Sequence, residues 1–160
     1  MKRPNKFDED VKLEVAKILL PEIKEWMGDV EEEDEDIIDH IYEALDTYDW
    51  DGFNLAKGMD AYFNSDSRLV EIMDGAEYKA MKVVKKKTKS WLETNKIQPQ
   101  YKKGDTVIVS LARHGKQKGE ILSVDSNEGR YHFFVEELCV RNGPGINAFI
   151  VPWEDVTEHD

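Results

Sequence analysis

The chain has 160 residues, enough for one domain or two small ones with a buried core that needs no cross-links. Its 22 basic and 34 acidic side chains give a formal net charge of -12, which disfavours loose binding to nucleic acid or anionic membrane and favours encounters with basic surfaces. The single cysteine, Cys139, excludes an internal disulfide and a zinc site of paired cysteines, and the absence of an apolar span or signal core predicts a cytoplasmic protein.

Helical periodicity begins close to the N-terminus. Apolar residues recur every three or four positions after Asp8, which is a candidate N-cap, and Gly28 is a candidate stop. Pro21 is expected to kink this helix or to start a second one. The apolar positions of this first helix are Val11, Val15, Ile18, Leu19 and Ile23.

Four more amphipathic segments follow and predict a helical bundle. One helix is expected over 33–48 and another over 51–63. A third is expected to begin after a capping Ser65 or Ser67 and to break or bend at Gly75, and a long basic helix is expected to end near Asn95. The apolar stripes of the 33–48 and 51–63 helices comprise Ile37, Ile38, Ile41, Leu45 and Tyr48, then Phe53, Ala56, Met59 and Phe63.

Acidity is concentrated in this helical half. Residues 1–80 carry a charge of -14, whereas residues 81–100 carry +5 and residues 101–160 carry -3. Its densest part is the acidic run, "DVEEEDED" at 29–36. As a calcium loop it fails, because Asp34 stands where the turn needs glycine. Two interpretations remain, namely a solvated entry to a helix, where carboxylates meet the positive end of the dipole, and a docking face for a basic partner.

The docking interpretation joins the run to further acids along the predicted helices. On a rigid scaffold these carboxylates would imitate a row of phosphates and occupy a basic groove of a nucleic-acid-handling protein. In composition the chain looks like the small acidic phage and mobile-element proteins that inhibit restriction or CRISPR enzymes. The candidate acidic face comprises Glu31, Glu32, Glu33, Asp34, Glu35, Asp36, Asp39 and Glu43, with Asp46, Asp49, Asp51 and Asp60 as additional acids.

Strand signals replace helical ones after "KIQPQYKKGD" at 96–105. Four short apolar segments, separated by turn residues, predict a small curled antiparallel barrel, with Gly119 placed where backbones must approach closely. The segments are "TVIVSL" at 106–111, "KGEILSVD" at 118–125, "GRYHFFVEEL" at 129–138 and "NAFIVPWEDV" at 147–156.

Residues 102–138 resemble the KOW motif of the SH3-like small barrels. In that pattern a Gly-Asp pair precedes the first strand, and a glycine followed by alternating apolar residues forms the second. The resemblance implies binding of RNA, ribosomes, RNA polymerase or peptide tails, and not catalysis. The matching residues are Gly104, Asp105, Val107, Val109, Gly119, Ile121 and Val124, continued by Tyr131, Phe133 and Val135.

Two groups of cations offer a second candidate surface. The basic helix carries Lys85, Lys86 and Lys87 among its lysines. These either solvate one helix face and partly neutralise the acidic bundle beside them, or contact phosphate, RNA or an acidic partner surface. In SH3-like barrels the loop between the first two strands borders the binding groove, and here it carries Arg113, His114, Lys116 and Lys118. Tyr101, Tyr131, Phe133, Phe149 and Trp153 are expected to be core residues more often than a stacking surface.

Signals for catalysis are weak. The four histidines are scattered, and the sequence has neither a zinc-binding HExxH motif nor a glycine-rich phosphate loop. We therefore predict an α+β protein without enzymatic activity, cofactor or metal: an acidic helical domain at 1–96 and an SH3-like barrel at 97–160. The expected function is docking of the acidic face on a basic, nucleic-acid-handling protein, and the alternative is binding to RNA, ribosomes or RNA polymerase through the barrel and the lysine helix.

Overall fold

A computed structural model describes residues 2–139, 141–142 and 145–157 and confirms the α+β prediction. Helices α1 to α5 span Glu9–Met27, Asp34–Ala44, Gly52–Met59, Ser67–Asp74 and Ala76–Thr94. Strands β1 to β7 span Thr106–Leu111, Gly115–Asp125, Arg130–Phe134, Arg141–Asn142, Gly145–Ile146, Phe149–Pro152 and Val156–Thr157, with a 3-10 turn at Trp153–Asp155. The chain forms two compact units, 1–87 and 88–160, so the division lies within α5 and before the predicted boundary at 96.

Helix α1 is continuous through Pro21, so no second helix starts there. The proline and Lys17, whose carbonyl would be its backbone partner, are both exposed, and water can therefore solvate that carbonyl. Gly28 ends the helix as predicted, with a φ of 69° and its N–H donated to the Lys24 carbonyl at 3.1 Å. Asp8 holds the N-cap position, but its carboxylate accepts hydrogen bonds from Asn5 instead of from the helix.

Helices α2 and α3 are shorter than the sequence suggests. Helix α2 ends at Ala44, so Tyr48 lies outside its apolar stripe; the tyrosine is exposed and stacks on Phe7 with ring centroids 5.8 Å apart. The buried face of helix α3 is rotated from the predicted one. Leu55 is therefore buried, whereas Phe53 is exposed. Each of these departures reflects tertiary packing that overrides a local pattern.

The N-cap of α4 is Asp66, not Ser65 or Ser67. Its carboxylate accepts the N–H of Leu69 at 2.9 Å, which lowers the pKa of Asp66 below the ordinary 3.8. Ser65 instead donates its hydroxyl to the Ala56 carbonyl at 2.7 Å. Gly75 follows α4 directly, so the predicted break at Gly75 is confirmed as the boundary between α4 and α5.

One apolar core holds the helical unit together. It gathers fully buried side chains from α1 to α4 and the first half of α5, including Leu19, Ile41 and Leu69. Lys12 is also buried at its edge, with 6% of its surface exposed, and its ammonium binds Asp46 at 2.8 Å. That hydrogen bond raises the pKa of Lys12, so the cation is retained in the folded unit.

The 88–160 unit contains a curled antiparallel sheet in the order β6-β3-β2-β1-β7. The long strand β2 pairs with β1 through Glu120 and with β3 from Glu120 onward, and the register shifts between Ile121 and Ser123. The two edge strands are joined by the 3-10 turn. The inner face buries Val107, Val109, Ile121, Tyr131, Phe133 and Val135, while Val124 is half-buried at its margin.

Gly119 lies inside β2, where the strand changes partners. A Cβ there would lie 2.1 Å from the Phe134 carbonyl oxygen and 2.8 Å from the Phe133 ring, so the predicted close backbone approach is confirmed. The predicted core aromatics Tyr131, Phe133 and Trp153 are buried. Cys139 is buried, and its sulfur accepts the Val135 N–H at 3.2 Å.

Within the described ranges, no helix combines the length and the apolar character that crossing a membrane requires.

Candidate functional site

The first part of the acidic run is irregular and the second part is helical. Its residues up to Glu33 are irregular, and Asp34, Glu35 and Asp36 form the first turn of α2. Carboxylates in a first turn are stabilised by the helix dipole by about 0.3 to 1 kcal/mol each. The helix-entry interpretation therefore accounts for these three acids.

Few of the run's carboxylates have a partner inside the protein. Asp34 binds Lys24, and Glu32 contacts the His40 ring nitrogen at 3.0 Å. Elsewhere in the run the described residues provide no counter-ion, and these acids are exposed: Asp29, Glu31, Glu33, Glu35 and Asp36. Most of the run's charge therefore faces solvent uncompensated.

Helix α2 extends this charge beyond the run. Its buried face is apolar, and its opposite face consists of Glu35, Asp36, Asp39 and Glu43, all exposed. We call these four residues the α2 acidic face. Glu35 and Glu43 lie about 12 Å apart along the axis at 1.5 Å per residue. The axial steps between successive acids are about 1.5, 4.5 and 6 Å, so the face averages one charge per 4 Å of axis, against one per roughly 3.4 Å along one DNA strand.

An aromatic pair borders the α2 acidic face and was not predicted from the sequence. The His40 and Tyr62 rings stack with centroids 3.7 Å apart and an interplanar angle of 16°. The Tyr62 hydroxyl donates to the Glu43 carboxylate, which raises the pKa of the tyrosine, and 43% of the residue is exposed. No local sequence signal joins Tyr62 to α2, because the contact depends on how the turn after α3 packs.

The additional acids of the docking hypothesis have structural partners. Asp46 binds Lys12, Asp51 caps α3 by accepting the Asn54 N–H at 3.0 Å, and Asp49 accepts the Asn54 side-chain amide at 3.1 Å. Asp60 accepts the Ser65 N–H at 3.0 Å, and hydrogen bonding to Ser65 lowers the pKa of the carboxyl. These acids hold turns and helix ends. No cluster of three potential metal ligands occurs among the described residues.

The three lysines predicted as a candidate surface on the basic helix differ in burial and in their contacts. Lys87 is half-buried and binds Asp10 at 2.8 Å and Glu14 at 3.4 Å on α1. The Lys87–Asp10 hydrogen bond raises the pKa of the lysine and lowers that of the aspartate. Lys85 and Lys86 are exposed. Three consecutive helical residues diverge by about 100° each, so they cannot share one face.

The cations of the barrel loop lie together on the β1–β2 hairpin of the 88–160 unit. Arg113 and His114 occupy its tip, and the His114 ring lies 5.9 Å from Phe149 in an edge contact. Lys116 and Lys118 stand opposite Ser110 and Ile108 of β1, two positions apart and therefore on one face of β2. Arg113, Lys116 and Lys118 are exposed and form no ion pair with any described residue.

Comparisons with known proteins return no relative. No family model, curated protein or solved structure matches this chain. The KOW resemblance therefore stays a prediction, and the functional argument depends on the chain's own residues.

Proposed function

We propose that the protein is a non-catalytic docking protein whose α2 acidic face binds a basic surface of a nucleic-acid-handling protein. The observation that carries this proposal is the composition of that face: Glu35, Asp36, Asp39 and Glu43 with no cation among them. A basic groove that accepts phosphates would accept these carboxylates, whose average charge per unit length is similar. The activity would resemble that of the small acidic phage inhibitors of restriction or CRISPR enzymes.

The energetics of α2 support this proposal. Glu35, Asp39 and Glu43 follow one another at four-residue intervals, where like charges destabilise a helix by about 0.2 to 0.5 kcal/mol per pair. Glu43 also lies in the last turn, where the dipole favours cations, and that turn has no basic residue. Helix-entry solvation explains neither arrangement, whereas the cations of a basic partner would offset both unfavourable interactions.

Neutralisation of the face tests the proposal. The docking variant carries Glu35→Gln, Asp36→Asn, Asp39→Asn and Glu43→Gln. A matched control removes the same charge from exposed acids elsewhere: Glu25→Gln, Glu71→Gln, Asp74→Asn and Asp155→Asn. Each is immobilised, exposed to host lysate, and its retained proteins are identified by mass spectrometry.

The expected result is a basic nucleic-acid-binding protein retained by the native chain and by the control, but at least tenfold less by the docking variant. In a competition assay, the native chain should also displace fluorescent DNA or RNA from that partner. If the control loses as much of the partner as the docking variant does, net charge, and not this face, attracts the partner. Retention without displacement of the nucleic acid would contradict mimicry.

A second candidate function is direct RNA, ribosome or RNA polymerase binding through the β1–β2 hairpin. The supporting observation is that Arg113, Lys116 and Lys118 are exposed on one hairpin without ion pairs to described residues. If this candidate holds, generic RNA should bind at low salt, where the electrostatic contribution is largest, and Lys116→Gln with Lys118→Gln should weaken it. Absence of binding at low salt would exclude this candidate.

A further inference from the structure

A cavity of about 390 Å³ lies in the 88–160 unit at the end of α5. This volume lies within the roughly 300 to 1,000 Å³ of typical small-ligand sites. Leu92 and Ile97 form part of its apolar wall, Lys89 and Lys96 bring ammonium groups, and Trp153 also lines it. The α2 acidic face belongs to the other unit, 1–87.

Trp153 has an unused hydrogen-bond donor. Only 7% of the residue is exposed, and its indole Nε1 has no acceptor among the described residues. A buried donor without a partner costs free energy, because it has given up water and gained nothing in exchange. An acceptor that arrived with a bound ligand would remove this cost.

Lys96 occupies a backbone position that glycine usually fills. Its φ is 54°, and it ends α5 in a Schellman arrangement, with Lys96 N–H donating to the Glu93 carbonyl at 3.2 Å and Ile97 N–H to the Leu92 carbonyl at 3.0 Å. Glycine would adopt this conformation without the steric penalty of a Cβ. A strained lysine facing a cavity suggests that its side chain has a use there.

The charges around the cavity favour an anion. Lys89 and Lys96 are exposed and, like the intervening Glu93, form no ion pair with a described residue. The C-terminal end of a helix normally repels anions, but here the Leu92 and Glu93 carbonyls accept the backbone hydrogen bonds described above. Two cations therefore outweigh one carboxylate at this site.

We propose that this cavity binds a carboxylate with a short apolar stem. The two lysines would attract the carboxylate, Leu92 and Ile97 would pack against the stem, and the Trp153 N–H would gain an acceptor. The carboxylate can belong to a free small acid or to the C-terminus of a peptide. Because the indole nitrogen is closed to solvent, its engagement requires a shift of neighbouring side chains, which NMR detects directly.

The test titrates the full-length ¹⁵N-labelled chain with two probes, sodium hexanoate and the tetrapeptide acetyl-Ala-Val-Ala-Leu with a free C-terminus. The Trp153 indole signal is assigned by its disappearance in Trp153→Phe. A saturable downfield shift of this signal is expected with at least one probe, and its absence with both overturns the proposal. Response to hexanoate indicates a free acid as the ligand; response to the peptide alone, and not to its C-terminal amide, indicates a peptide terminus.

Two variants separate binding from structure. Lys96→Gly keeps the left-handed backbone, so it should raise the melting temperature. It should also lower the affinity for the probe at least tenfold. Lys86→Gln removes a charge from the same helix outside the cavity and should leave affinity within twofold. Equal weakening by both, or unchanged affinity in Lys96→Gly, overturns the proposal.

Discussion

Replacing Gly119 by alanine tests the packing at the point where β2 exchanges β1 for β3. The added methyl would lie 2.1 Å from the Phe134 carbonyl oxygen, about 1.2 Å closer than the roughly 3.3 Å at which carbon and oxygen normally meet. It would also press on the Phe133 ring at 2.8 Å. Since one obstacle is backbone and the other is a fully buried ring, neither can yield without disturbing the sheet.

The expected cost follows from these two contacts. Overpacking of a core typically costs about 1 to 3 kcal/mol, and a clash with strand backbone belongs at the upper end. About 3 kcal/mol would lower the melting temperature of a domain of this size by roughly 12 to 24 °C. The effect should be confined to the 88–160 unit, which contains the strands involved.

Gly115→Ala provides the matched control. Gly115 has a φ of 66° and no atom within 4 Å of an added Cβ, so alanine there costs only the left-handed conformation, about 1 to 2 kcal/mol. Urea unfolding followed by the amide NMR signals of Ile121 and Phe133 measures both variants in the intact chain. If Gly119→Ala costs no more than Gly115→Ala, the close-approach argument is wrong.

Three further outcomes are expected. Lys12→Ala should destabilise the helical unit more than Asp46→Asn in urea titrations, since the buried stem of the lysine contributes beyond its ion pair; equal losses would contradict this. Asp66→Asn should flatten the acid-induced loss of stability: the folded-state pKa lies below 3.8, so the native carboxylate contributes stability above 3.8 that is lost as pH falls through the lower folded value. Asp39→Asn should melt at a higher temperature than the native chain, because it relieves like-charge repulsion with Glu35 and Glu43 and leaves the first-turn acids in place; a lower melting temperature would show that Asp39 stabilises the fold.

Local sequence signals predicted a residue's role correctly where that role depends on its neighbours in sequence. Gly28 ends α1 because a left-handed residue closes the helix, and Gly119 was identified because alternating apolar residues around a glycine indicate close strands. The α+β division followed from the change of hydrophobic period near residue 100. The prediction that a second helix could start at Pro21 is wrong. Helix α1 continues through the proline because an exposed helix face tolerates the missing hydrogen bond.

Roles that depend on distant partners could not be predicted. Lys87 does neutralise acids of the helical bundle, which was one of its two predicted roles, but nothing near Lys87 in the sequence indicates that Asp10 and Glu14 on α1 are the acids it binds. Tyr62 likewise joins His40 and Glu43 only through packing of the turn after α3. Composition revealed that the helical half is acidic, but only the structure separates acids that hold turns from acids that face solvent.

That separation changes the weight of the two interpretations of the acidic run. Asp34 is bound by Lys24, and the dipole stabilises the whole first turn of α2, so those positions need no partner. Asp39 and Glu43 lie beyond the first turn, where the dipole gives no benefit and each repels the acid four residues before it. Stability alone would favour neutral or basic residues there. The strongest argument for a basic partner therefore comes from the acids that continue along α2 after the run has ended.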